Sequence, residues 1–345
     1  LGGKALEDYG DSILKISQSS RSSISDLLEI GVVAGQLGIE AKNLESFTVQ
    51  ANKFAVALGS DYSGGVNAAI NSVGKLNVLF KDTQNLDPAE SLSIAGSMIN
   101  ELTNIGVKAE NINDFALRVG RLPAVFKPSL QSTLALGATF EKLGVNSEIA
   151  SSGFNNLILT ASKNMPAFAK QMGIGTKEAE NLLQQDPVKF AARFSQTFKK
   201  MSPTQLANTL AKLKVNSNEV VGVVGGLAAG SDILTDALAR TNEQYQKATS
   251  LTLEYDTKNS NMAAKIEIAK NNFEAMTIII GTQLLPVLGE LIDKIMPIVR
   301  NVLDWVSAND KIVLVIGAFA LGLVILKIAL GAYNLIMGFA TAVST

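Results

Sequence analysis

The chain has 345 residues, a formal net charge of −1, no Cys and no His. The missing Cys exclude disulfides and thiolate metal sites, and the missing His exclude Ser-His-Asp and Cys-His nucleophiles and zinc hydrolases with imidazole ligands. The near-neutral charge gives no bulk attraction for nucleic acid, and no Lys/Arg cluster is interleaved with aromatic residues. We therefore expect a structural or interaction protein without catalytic residues, cofactor or metal.

Helical periodicity runs through the whole chain, and alternating strand patterns are absent. The length predicts two or three helical modules. We expect an all-α fold of irregular stacked helix-turn-helix units, followed by long amphipathic and hydrophobic, transmembrane-like helices. Because the chain starts at Leu1 and not at Met, we expect it to be a piece of a longer protein.

The first 26 residues are polar, with a Ser-rich patch at residues 17–25. We interpret them as a linker or a solvated helix. Ser25 or Asp26 would then cap a helix that starts near Leu27.

Residues 27–230 are predicted to form a helical core, punctuated by an apolar residue, Gly, and Ile or Val. Gly ends a helix well because it adopts a left-handed conformation without Cβ strain. The uneven spacing favours an irregular bundle over a repeat scaffold that presents a groove. The predicted helix-turn glycines are Gly38, Gly106, Gly144 and Gly173, and a degenerate copy has Lys214 in the Gly position.

Residues 231–277 are polar and are predicted to form exposed connecting helices, with Ser231 and Asp232 at their start. Residues 278–309 follow as an amphipathic helix whose polar residues form one thin stripe. Its broad apolar face requires other helices or lipid, and its two prolines predict bends. The residues predicted to associate with a membrane are Leu284, Leu285, Pro286, Leu288, Leu291, Ile295 and Trp305.

Residues 310–345 form a hydrophobic segment with a single charge after residue 311. One helix over residues 312–340 would span about 43 Å, which exceeds the bilayer core of about 30 Å. Two shorter helices that meet near Lys327 are an alternative, as is burial in a large assembly, but we predict membrane competence. The residues that we assign to this predicted membrane segment are Ile312, Gly317, Gly322, Lys327, Gly331 and Gly338.

The segment at residues 264–305, AKIEIAKNNFEAMTIIIGTQLLPVLGELIDKIMPIVRNVLDW, resembles the end of the core region of phage tail tape measure proteins. Its Leu-Leu-Pro segment carries the most specific likeness. Upstream, LGIEAKNLESF, IGVKAENINDF and LGVNSEIASSGFNNLI are similar to that family's helix-Gly-helix units. The resemblance covers residues 25–310 and departs from the family pattern at Lys214.

The resemblance implies a structural protein in the lumen of a bacteriophage tail tube, which sets tail length during assembly. It implies ejection ahead of the DNA, a later location in the host membrane or periplasm, and help in forming a channel for viral genome ejection. The implied partners are other copies of the chain, the tail tube protein, tail tip or hub proteins, tail assembly chaperones and the host membrane, with DNA contacted only indirectly.

Two other classes remain open from the sequence. A pore-forming toxin or bacteriocin also joins a helical body to an apolar end. A cell-wall hydrolase is a third class, although zinc or Cys peptidase activity cannot reside in a chain without His and Cys.

Overall fold

A computed structural model describes residues 3–80, 86–215 and 217–308. These ranges contain sixteen α-helices and no strand, which confirms the predicted all-α fold. The helices are α1 (Lys4–Ser17), α2 (Ile24–Gln36), α3 (Leu44–Leu58), α4 (Gly65–Leu79), α5 (Pro88–Thr103), α6 (Ala109–Val119), α7 (Leu130–Lys142), α8 (Ser147–Lys163), α9 (Met165–Met172), α10 (Thr176–Gln185), α11 (Pro187–Gln196), α12 (Pro203–Lys212), α13 (Asn218–Ala229), α14 (Ser231–Lys247), α15 (Ser250–Ser260) and α16 (Met262–Ala308).

The chain divides into two compact units, Leu1–Ala275 and Met276–Thr345. In the first unit, α5 packs against α3, α14 and α15, while α7 packs against α6 and α14. Further along the chain, α8 packs against α6 and α13. The core of this unit is rich in fully buried phenylalanines, including Phe54, Phe115, Phe140, Phe154 and Phe194.

The N-terminal segment contains a helix, one of the two forms predicted for it, but this helix is not wholly solvated. Residues 4–17 form α1, with Ile13 only 1% exposed. The Tyr9 hydroxyl lies 2.9 Å from the Thr48 hydroxyl. Two serines of the Ser-rich patch, Ser17 and Ser20, are buried, and Ser20 hydrogen-bonds the side chain of Asn52. Hydrophobicity alone therefore underestimated how much of this segment is packed.

Helix α2 starts at Ile24, three residues before the predicted start. Ser23 is its N-cap and accepts a hydrogen bond from the backbone N–H of Asp26 at 3.1 Å. The Asp26 carboxylate in turn accepts from the backbone N–H of Ser23 at 3.0 Å. This capping box satisfies two amides that a helix start leaves free.

The segment predicted to form connecting helices also differs. Most of α14 lies against α5 and α7, and Leu234, Ala237 and Thr241 are buried. The side chain of Gln244 stabilises the turn between α14 and α15. Its Oε1 accepts hydrogen bonds from the backbone N–H groups of residues 249 and 250 at 3.1 and 3.0 Å. Apart from Leu234, the buried residues of α14 are small or polar, so the apolar stripe was too weak to indicate burial.

The predicted helix ends share one backbone geometry. Gly38, Gly106, Gly144 and Gly173 have φ of 76°, 79°, 74° and 68°, and Lys214 has φ of 63°. All five therefore adopt the left-handed conformation. A non-Gly residue rarely does so, because its Cβ crowds the backbone.

Hydrogen bonds at four of these ends, those at Gly38, Gly144, Gly173 and Lys214, follow the Schellman pattern. The N–H of Val145 donates to the carbonyl of Phe140 at 2.9 Å, across the turn at Gly144. The same bond joins Val215 to the carbonyl of Leu210, also at 2.9 Å. Lysine at 214 thus keeps the motif that the sequence pattern had made doubtful.

Helix starts agree in part with the predicted caps. The Asn146 side chain accepts the N–H of Glu148 at 2.8 Å, as predicted. Pro187 and Pro203 stand in the first turns of α11 and α12. Thr176 is the first residue of α10 and not its cap, a position that Gly175 holds without a side-chain bond.

We expect Lys214→Gly to raise the free energy of unfolding by about 1 kcal/mol, because Gly relieves the left-handed strain. Gly144→Ala should lower it by about 1 kcal/mol for the converse reason. A Cβ added at Gly144 meets no atom within 4 Å, so the loss comes from the backbone alone. Urea denaturation of both variants tests this, and equal shifts in the same direction would contradict it.

Candidate functional site: an exposed apolar helix on a polar anchor

Helix α16 is the longest element that the structure describes. Its 47 residues extend about 70 Å at ~1.5 Å per residue. It begins in the first unit and continues into the second. Pro286 and Pro297 lie inside it, and the helix runs through both without a break. Each proline removes one intrahelical hydrogen bond, so these are its weak points.

The start of α16 is held by a polar anchor, which we define as Arg21, Asn259, Glu267, Asn271 and Asn272. It joins α16 and the end of α15 to the loop that follows α1, and Arg21 belongs to that loop. The Asn271 amide donates to the carbonyls of residues 20 and 22 at 2.9 and 2.8 Å, and the Asn272 amide donates to that of residue 18 at 3.1 Å. The Asn259 amide donates to the carbonyl of residue 19 at 2.8 Å. Side-chain amides thus satisfy backbone carbonyls of the loop that follows α1.

One ion pair reinforces the polar anchor. The Nε and Nη2 atoms of Arg21 donate to the two carboxylate oxygens of Glu267 at 2.8 and 3.3 Å. A bidentate ion pair of this kind is stronger than one with a single hydrogen bond. Because both side chains are partly exposed, the pair contributes on the order of 1 kcal/mol or less.

Little apolar surface supports the anchored part of α16. Only Ala264 and Ala275 are its buried apolar residues within positions 262–275, while Ile266 and Phe273 are 53% and 57% exposed. Burial of alanine removes little apolar area from water. The attachment of the helix to the loop after α1 therefore depends on hydrogen bonds.

Beyond the polar anchor, α16 carries an apolar face. Val287, Ile292 and Ile298 are 61%, 58% and 62% exposed. Contiguous apolar surface of this extent is unusual on a soluble monomer and marks a site of interaction with protein or membrane. The apolar face consists of Ile278, Ile279, Leu284, Val287, Leu288, Leu291, Ile292, Met296 and Ile298.

The structure places the predicted membrane-associated residues as follows. Leu284, Leu288 and Leu291 belong to the apolar face, and Ile295 is half-buried. Pro286 lies within the helix. The side chains of Leu285 and Trp305 lie outside the described residues, as do Ile312, Gly317, Gly322, Lys327, Gly331 and Gly338.

The length and composition of α16 fit a membrane span. Among the described residues it is long and apolar enough to cross a bilayer. Helices α13 and α14 pass the same test only as a pair, across a bend of 80°. That pair is better explained by core burial, because Val223, Val224 and Leu227 of α13 are buried.

One cleft in the described ranges carries several charged side chains. A cleft of about 600 Å³ lies beside the polar anchor, and its charged lining includes Arg21, Asp26, Lys258 and Glu267. Arg21 pairs with Glu267, and Lys258 pairs with Glu254 at 3.4 Å. Across those ranges, no group of three His, Cys, Asp or Glu could hold a metal ion.

Sequence reasoning missed the polar anchor. The Ser-rich patch was interpreted as solvated, and the neighbouring residues Asn271 and Asn272 carried no known motif. The contact joins positions about 250 residues apart in the chain. No local pattern reports such a contact.

We expect Asn271→Ala to weaken the start of α16 by about 1–3 kcal/mol, because it leaves two carbonyls without their donor. The matched variant Asn272→Ala, at an exposed position, should cost less than about 1 kcal/mol. Hydrogen exchange of the amides at residues 262–275 measures the difference. Equal protection in the two variants would contradict the assigned role of Asn271.

Comparison with known proteins agrees with the resemblance found in the sequence. A family model described as phage-related minor tail protein matches residues 10–214. The chain is also 23% identical to a "Probable tape measure protein" of Halomonas phage phiHAP-1, over 94% of this chain. It spans only 39% of that relative's length. No solved structure matches.

The family match covers more than half of the chain and includes most of the compact first unit. Both matches confirm the predicted resemblance to phage tail tape measure proteins. A structural role in the phage tail follows from the family. The chain belongs to the family of phage-related minor tail proteins.

Proposed function

We propose that this chain is the part of a tape measure protein that joins its soluble helical body to its membrane-active end. In the assembled tail it lies in the lumen of the tube and contributes to tail length. At infection it leaves the tube, and the apolar face of α16 enters the host membrane to help form a channel for DNA. The chain acts without catalysis.

The observation that carries this proposal is the run of exposed apolar side chains on α16, directly after a compact body. Inside an assembled tail, other proteins would keep that face from water. After release, a bilayer would serve the same purpose, since a helix with one broad apolar face partitions to lipid interfaces. The matches to a minor tail family and to a protein described as a tape measure protein support the proposed location in a phage tail.

The proposal includes partners of definite kinds. Other copies of the chain and the tail tube protein would cover the apolar face in the tail, and tail assembly chaperones would cover it before assembly. Tail tip or hub proteins would meet the chain at its exit. These assignments rest on the family and on the need to keep apolar side chains from water.

The length function predicts a change in tail dimensions. Deleting residues 276–308 from the complete phage gene removes 33 residues, which corresponds to up to about 50 Å of helix at ~1.5 Å per residue. We expect the tail to shorten by up to that amount. Electron microscopy of variant particles measures the change, and tails of unaltered length would contradict a length role for this segment.

The membrane function predicts loss of lipid binding by a variant of unchanged length. The triple variant Leu288→Gln, Leu291→Gln, Ile292→Gln keeps good helix formers but removes three exposed apolar side chains. Because each of these side chains is about half exposed, each gains roughly 1 kcal/mol when it leaves water. We expect co-flotation of the chain with liposomes to fall more than tenfold.

The matched control places glutamines at exposed apolar positions of the first unit, as Leu28→Gln, Val32→Gln, Leu253→Gln. It should float with liposomes as the parent does. An equal loss of liposome binding in both triple variants, or no loss in either, would contradict a role for α16 in membrane binding. The α16 variant should also keep the parent's tail length, which separates the two functions.

A further inference from the structure

Charge is unevenly distributed along the chain. Residues 163–214 contain nine Lys and Arg and three Asp and Glu, a net charge of +6, whereas the whole chain has −1. The rest of the chain therefore carries −7. The three carboxylates are Glu178 and Glu180 on α10 and Asp186 at the cap of α11. Residues 163–177 and 187–214 contain all nine cations and no carboxylate.

Folding gathers most of these cations at neighbouring helix ends. The Asn164 amide donates to the carbonyl of Leu213 at 3.2 Å, which brings the end of α8 beside the end of α12. The Gln171 amide donates to the Thr197 hydroxyl at 3.2 Å, which brings the end of α9 beside the end of α11. We define the basic patch by the lysines on these ends: Lys163, Lys170, Lys199, Lys200, Lys212 and Lys214.

A ring contact strengthens this arrangement. The rings of Phe168 on α9 and Phe194 on α11 lie 4.6 Å apart, and Phe194 also meets Phe198 at 5.0 Å. All three side chains are buried. The positions of Lys170, Lys199 and Lys200 are therefore fixed by a packed core beneath them.

The lysines of the basic patch are free to bind an anion. All six residues are exposed, and in the part of the chain that the structure describes none of them forms an ion pair. The nearby Arg193 is the exception among the nine cations, since it pairs with Glu178 at 2.9 Å. Lysines in the last turn of a helix also stabilise its dipole, but that effect does not require six unpaired lysines on chain segments that contain no carboxylate.

We propose that the basic patch binds the phosphate backbone of double-stranded DNA. Lysine is a point charge that neutralises phosphate without reading bases. Protein interfaces are depleted in Lys and enriched in aromatic residues and Met, and among the described residues 150–250 no large apolar side chain is exposed. The same absence disfavours membrane insertion and the stacking platforms that bind single strands.

The sequence alone argued against nucleic acid because the net charge is near zero and no Lys/Arg cluster is interleaved with aromatic residues. The fold reverses this conclusion for the basic patch, because it places lysines from separate segments on neighbouring helix ends. A patch with six cations and no carboxylate on its own segments attracts a polyanion even when the whole molecule is slightly acidic.

The test measures binding of the 345-residue chain, in a mild non-ionic detergent, to a 30-base-pair duplex of random sequence. The variant Lys199→Gln, Lys200→Gln, Lys212→Gln removes three cations of the basic patch. We expect its affinity at low salt to fall at least tenfold. The slope of log K against log salt should become shallower by about 2–3, since each phosphate contact contributes about 0.9. Circular dichroism should show unchanged helicity.

The control variant Lys4→Gln, Lys75→Gln, Lys265→Gln changes the net charge equally at exposed positions outside the basic patch. It should retain the parent's affinity within twofold. Absence of DNA binding by the parent, or equal loss in both variants, would overturn the proposal. So would a basic-patch variant that keeps its DNA affinity but loses binding to anionic vesicles or to polyglutamate.

Discussion

The proposed function depends on one constraint: the apolar face of α16 contacts water unless protein or lipid covers it. Nine large apolar side chains of this face are 37–62% exposed, and each would gain roughly 1 kcal/mol on leaving water, since full burial of such a side chain gains about 1.5–3 kcal/mol. Exposed apolar surface of this kind favours association with protein or lipid. The proposed placement in a tail lumen and later in a bilayer would give the same face two successive covers.

The compact first unit and the start of α16 are joined by a different kind of interaction. The core of the unit is held by buried phenylalanines and by helix ends closed with Schellman turns, as at Gly144 and Lys214. The attachment of α16 relies on amide-to-carbonyl hydrogen bonds such as those of Asn271. Hydrogen bonds exchange readily with water and contribute modestly to stability. The polar anchor can therefore open at lower cost than the core, which suits a helix that changes its surroundings.

Local patterns in the sequence predicted the local features of the fold. The all-α class, the glycine helix ends and the cap at Asn146 follow from periodicity and from backbone conformation. The packing of α14, the burial of Ser20 and the polar anchor did not follow, because polar and small residues carry these contacts between distant positions. The apolar face of the candidate site was predicted from composition, whereas the basic patch needed the fold to bring separate helix ends together.

The most direct test of the central claim uses the absence of Cys from the chain. A single cysteine introduced as Val287→Cys can carry a polarity-sensitive fluorophore on the apolar face, and Leu28→Cys provides a second exposed site on α2. On addition of liposomes we expect a blue shift in emission at position 287 and none at position 28. An unchanged spectrum at position 287 would contradict the claim that this face transfers from a protein cover to lipid.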